Sequence, residues 1–189
     1  MKSNERALFE QVNSQGGLFT AIQAEEAGYS RKNFAYYVKT GKWEKLGRGI
    51  YRLKLFPEVE HEHLIYWYLW SRNREGIPQG VISHETALFL YELSDLDPRK
   101  IHISVPKSFA RSAKIPKGIQ IHKASFKNEE IREMEGFKLT TVLRTIIDLI
   151  EEKRISEEFI EQAVKEAKQK GMLTQMDFRK FPILGQYLA

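Results

Sequence analysis

The chain contains no cysteine. That absence excludes a disulfide scaffold, thiol catalysis and cysteine-ligated zinc together. Long apolar runs are missing too: the longest, Leu64 to Trp70, falls far short of the roughly 18 residues that a membrane helix needs. Glu5, Arg6 and Glu10 interrupt the first stretch of the chain, so no signal peptide is expected and the expected location is the cytoplasm. Internal repeats and low-complexity tracts are absent. What is present, 189 residues with 12% aromatics and a mean hydropathy of -0.46, is the composition of a folded, soluble protein with room for one large domain or two small ones.

Enzyme motifs are lacking as well. Gly47-Arg48-Gly49 has neither the spaced glycines nor the Gly-Lys-Ser/Thr ending of a phosphate loop. His84-Glu85-Thr86-Ala87-Leu88 begins like a zinc-protease helix, but Leu88 stands where the second histidine must be. His61 and His63 are two residues apart and gain no evident third ligand. No catalytic residue, metal site or cofactor is therefore expected. Two polar pairs remain in the body of the chain. His84 and Glu85 open a helix, where Glu85 complements the helix dipole. Arg144 and Asp148, at i,i+4, share the one polar side of an apolar helix and read first as a structural ion pair, with a partner-binding site as the alternative.

The positive charge is not spread evenly. Residues 1–56 hold ten Lys/Arg against five Asp/Glu, whereas residues 57–189 hold twenty of each. A neutral body carrying one basic segment points to a polyanionic partner. Within that segment, Asn4 to Gln15 has helical spacing and stops at Gly16-Gly17. Thr20 with Gln23 makes a capping box for a short second helix ending at Gly28. Ser30 is expected to cap a third helix running to about Thr40. Trp43 to Leu46 and Ile50 to Leu53 then read as a hairpin around Gly47-Arg48-Gly49. Three short helices and a hairpin form the order of a winged helix-turn-helix.

On the third helix, Phe34, Tyr37 and Val38 fall on one side, and Lys32, Tyr36 and Lys39 on the other. Arg31 and Asn33 flank its first turn. Lys and Arg suit phosphates or guanine edges and Asn can read adenine, so this face is expected in the major groove. Lys45, Arg48 and Arg52 of the hairpin are expected on the backbone or in the minor groove. Phe56-Pro57 and the acidic Glu58 to Glu62 mark the expected junction between a DNA-binding domain, 1–56, and a second domain, 57–189. The latter reads as helices (Glu60 to Arg72, Ser83 to Tyr91, Val142 to Ile150, Glu157 to Lys170, a short one after Thr174) on a small sheet (Ile101 to Val105, Ile119 to His122, Phe137 to Leu139). The expected class is α+β: an N-terminal winged helix-turn-helix followed by a mixed α/β domain.

With these segments in order, the chain resembles the AbiEi-like antitoxins of bacterial abortive-infection (type IV toxin–antitoxin) systems. The resemblance rests on Gly17-Leu18-Phe19-Thr20, Ala27-Gly28-Tyr29-Ser30-Arg31 and Leu46-Gly47-Arg48-Gly49-Ile50-Tyr51-Arg52-Leu53, similar to the family's basic wing. It continues in Ile82-Ser83-His84-Glu85-Thr86-Ala87-Leu88, in Asp97-Pro98 and Ile101-His102-Ile103-Ser104-Val105-Pro106, and in Thr141-Val142-Leu143-Arg144-Thr145-Ile146-Ile147-Asp148. It implies a repressor of its own operon that counters a nucleotidyltransferase-like toxin, with antitoxicity mainly beyond residue 56. The expected partners are that toxin and a double-stranded DNA operator, expected as inverted repeats, with an oligomer on DNA left open and no membrane. Two rival readings stand beside it. One is a nucleic-acid-processing enzyme docking through its basic domain; the other is an antitoxin that binds only protein.

Overall fold

The computed structural model describes residues 3–111 and 114–188. The chain divides into two compact units, the first reaching to Gly80 and including Met134–Phe137, the second formed by Val81–Glu133 and Lys138 onward. The first unit thus extends past the expected boundary at residue 56, because the helix that follows packs on the strands before it.

In the first unit, helix α1 (Ser3–Val12) buries Leu8 and Val12. A strand not anticipated from the sequence, β1 (Leu18–Thr20), leads directly into α2 (Ala21–Glu26). The Thr20 capping box is present: the Gln23 amide donates to Thr20 Oγ1 at 3.2 Å and the Thr20 amide donates to Gln23 Oε1 at 2.9 Å. The third helix is shorter than expected. Arg31–Asn33 form a 3₁₀ turn and only Phe34–Lys39 are α-helical (α3), with no capping bond from the Ser30 hydroxyl. Strands β2 (Trp43–Gly47) and β3 (Ile50–Leu53) make the hairpin, and β1 pairs antiparallel with β3 to give the order β1-β3-β2. Helix α4 (Glu62–Trp70) buries Leu64, Ile65 and Leu69 and packs against β1 and β3.

The second unit is a mixed five-stranded sheet with helices. Its strands are β4 (Val81–Ile82), β5 (Ile101–Val105), β6 (Ile119–Lys123), β7 (Ile131–Met134) and β8 (Phe137–Thr140), in the order β6-β5-β4-β8-β7. Strands β5 and β6 run parallel, as do β4 and β8, whereas β4 and β5 are antiparallel. Helix α5 (His84–Leu90) packs on β5 and on α6 (Val142–Glu152), which in turn meets α7 (Glu157–Gln169). The Thr141 hydroxyl caps α6 by accepting from the Arg144 amide, and α8 (Gln175–Lys180) starts after Thr174 as expected. The class is α+β, with an N-terminal winged helix-turn-helix and a mixed C-terminal sheet. Among the described residues, no helix is long and apolar enough to cross a membrane.

Candidate functional site

Trp43 orients α3. Its ring centroid lies 4.8 Å from Phe19, 5.0 Å from Tyr29, 5.1 Å from Phe34 and 4.8 Å from Tyr37. Aromatic packing of this density fixes rotation as well as position, since each ring fills a shaped gap. Phe34 is buried and Tyr37 and Val38 pack partly buried against the same core. Tyr36, 61% exposed, and Lys39 are therefore turned outward on α3, while Lys32 is exposed on the 3₁₀ turn before it and not on the helix as expected. Arg31 and Asn33 are exposed on the preceding turn. Arg31 Nη2 lies 2.6 Å from Glu25 Oε2, but both groups are open to solvent, where such a pair contributes about 0–1 kcal/mol.

The hairpin presents Lys45 and Arg48 to solvent. Its tip is Arg48-Gly49, and Gly49 adopts φ +66°, a conformation a side chain would strain. The sequence reading missed what holds this tip. Arg72, just beyond α4, donates through Nη2 to the carbonyls of Arg48 at 2.9 Å and Gly49 at 3.2 Å, and through Nη1 to Leu69 O at 2.9 Å. Arg52 is placed differently from Lys45 and Arg48. Its side chain is only 12% exposed, its Nε lies 3.0 Å from Glu62 Oε2, and its Nη2 donates to Phe56 O. Glu62 on α4 has drawn this guanidinium inward, so Arg52 ties the wing to the unit and is not grouped with the outward cations.

The second unit holds a buried polar cluster. His84 and Glu85 were singled out from sequence; the fold adds His102 on β5, His122 on β6 and Glu152 at the end of α6. His102 Nδ1 lies 2.7 Å from Glu85 Oε2 and 3.0 Å from His122 Nε2. His122 Nδ1 lies 3.0 Å from Glu152 Oε1, and His84 Nε2 lies 3.2 Å from the same oxygen. The His84 and His122 rings stack at 3.6 Å, 13° from parallel. His84 has φ +52° and bonds through Nδ1 to the Ser83 hydroxyl, which also bonds Ser104 and so cannot cap α5. Burial, reinforced by His122, pushes the His84 pKa down to about 4. Burial also lowers that of His122. For Glu85 burial acts upward, but His102 overrides it and holds the carboxyl below its ordinary value. The signal in the sequence was the alternation Ile101-His102-Ile103-Ser104-Val105, with histidine on the polar side of a strand that proves buried on both faces.

Arg144 and Asp148 belong to a different cluster. Arg144 Nε donates to Asp148 Oδ1 at 2.8 Å and Nη1 to Glu130 Oε1 at 2.9 Å, with the guanidinium 4.8 Å from the Phe126 ring centroid. Burial raises the Asp148 pKa to about 6 despite Arg144.

Residues 6–54 match the family described as transcriptional regulator, AbiEi antitoxin. The solved crystal structure of the RV2827C protein from Mycobacterium tuberculosis is similar at 11% identity and a TM-score of 0.46, covering 87% of this chain and 72% of that one. No curated protein matches. The segment that is similar to that family spans the first three helices and the hairpin of the first unit.

Proposed function

We propose that this chain binds duplex DNA through its first unit, represses its own operon and serves as the antitoxin to a nucleotidyltransferase-like toxin. Lys32, Tyr36 and Lys39 enter the major groove with Arg31 and Asn33 at the helix start, and Lys45 and Arg48 of the wing meet the backbone or minor groove. The observation that supports this reading is the two-sided α3: one side packs around Trp43, and the other leaves Tyr36 and Lys39 exposed, next to the exposed Arg31, Lys32 and Asn33 of the preceding turn. The domain-level division of labour, DNA recognition first and antitoxicity in the rest of the chain, follows from the family resemblance.

Fluorescence anisotropy with duplex from upstream of the gene tests the DNA contacts. Each neutralised phosphate adds about 0.9 to the slope of log affinity against log salt. The double variant Lys32→Ala/Arg48→Ala should weaken binding and flatten that slope by about 1.8 if each cation neutralises one phosphate. Unchanged affinity and slope would reject the interface. Repression is read from a promoter fusion, and antitoxicity from growth when the adjacent toxin gene is co-expressed with the full chain.

A further inference from the structure

We propose that Glu85, His102 and His122 bind a divalent transition-metal ion of the zinc type, with Glu152 as the outer carboxylate that orients His122. The three ligand atoms come from three elements (Glu85 Oε2 from α5, His102 Nδ1 from β5, His122 Nε2 from β6) and lie within 4.8 Å of one another. Parallel pairing of Ser104 with His122 and of His102 with Gln120 sets both histidines on the same face of adjacent strands. An ion with bonds of about 2.0–2.1 Å holds tetrahedral ligands about 3.3 Å apart, so the separations of 2.7 and 3.0 Å here need to open by about 0.6 and about 0.3 Å.

The outer partner of His122 supports an ion. His122 Nδ1 lies 3.0 Å from Glu152 Oε1, and its other ring nitrogen, Nε2, faces His102. A carboxylate accepting from the outer nitrogen of a histidine is the arrangement that fixes the tautomer of a metal-binding imidazole. Glu85 Oε2 lies 2.7 Å from His102 Nδ1 in a side chain 90% buried, so a carboxylate oxygen and two ring nitrogens meet in one buried place. A buried carboxylate is costly unless its charge is met, and a cation among the three atoms meets it.

His84, His122 and Glu152 also come together, but they cannot form the same kind of site. Imidazole lone pairs lie in the ring plane, and in two rings stacked at 3.6 Å and 13° they run side by side without converging. His84 instead covers one face of His122. Two histidines and one carboxylate with a further open position is the donor set of catalytic zinc, whereas closed structural sites use four protein ligands.

Metal-stripped full-length protein is titrated with Zn²⁺ against a chromophoric competitor, with folding followed by circular dichroism. One ion per chain is expected. His122→Gln and Glu85→Gln should each weaken binding by at least about a hundredfold, and Glu152→Gln by about 10–100-fold. Glu152 is partly exposed, so its variant serves where a buried ligand variant fails to fold. His61→Ala/His63→Ala should bind as the parent does. No saturable binding at one equivalent, or binding lost in the His61/His63 variant but kept in the other three, overturns the proposal.

Discussion

Replacing Arg72 by Met removes the guanidinium that braces the wing while keeping most of the aliphatic stem. Of its three carbonyl acceptors, Gly49 O keeps a partner in the Ala21 amide at 3.0 Å, so its loss is small. Leu69 O likewise keeps the Arg72 backbone amide at 3.3 Å, so the main loss is the bond to Arg48 O. Hydrogen bonds to a charged group are worth about 1.5–3 kcal/mol, and partial exposure of this site favours the lower end. One such loss, with two smaller ones at acceptors that keep a partner, gives an expected destabilisation of about 1.5 kcal/mol in urea unfolding of the full chain. The more telling measurement is the salt dependence of DNA binding. Arg72 acts on the backbone of the tip and so sets where Arg48 points; it does not itself neutralise phosphate in the proposed interface. Arg72→Met should therefore lower affinity with the salt slope nearly unchanged, whereas Arg48→Ala should flatten it by about 0.9. A slope change in Arg72→Met as large as that in Arg48→Ala would refute the bracing argument, because Arg72 would then be a phosphate contact.

Arg52→Ala should cost roughly 2 kcal/mol of stability, between the values for surface and buried pairs, since it leaves Glu62 unmatched, and should leave the salt slope of DNA binding unaltered. Trp43→Ala should cost about 3–5 kcal/mol in denaturant unfolding and abolish DNA binding, because it releases the rings that orient α3. Asp148 predicts a pH dependence of unusual sign. Its carboxyl has a pKa of about 6 in the folded chain against an ordinary 3.8, so folding favours the protonated form. Its contribution is greatest below pH 3.8 and is lost as the pH rises through 6, by about 3 kcal/mol. Asp148→Asn removes that dependence; urea unfolding at pH 4 and pH 7 should show the wild type losing ground to the variant, and parallel curves would contradict the assignment.

The elements legible in the sequence were those with local causes. The capping box at Thr20, the stop at Gly28 and the i,i+4 pair Arg144–Asp148 depend on residues a few positions apart, and all are present. The two sides of α3 could be separated by helical spacing alone. Strand β1 was not, because three fully buried residues show no alternation, and β4, with two residues, shows even less. Ser30 and Ser83 looked like helix caps because serine usually is one there; neither makes the capping bond, and the Ser83 hydroxyl is engaged by Ser104 of β5 and by the adjacent His84.

Charge distribution, turn chemistry and helical periodicity are properties of neighbours along the chain, so sequence by itself determined the basic first segment, its helices and hairpin, and the outward-facing cations between Arg31 and Lys39. The direction of a long side chain is decided by whatever lies within its reach in space. Only tertiary structure could turn Arg52 inward to Glu62, carry Arg72 back some two dozen residues to the wing, and bring Glu85, His102, His122 and Glu152 from three elements and a helix end into one buried cluster. Burial then set their protonation, since a charge that is inexpensive in water becomes costly once the fold removes its solvent.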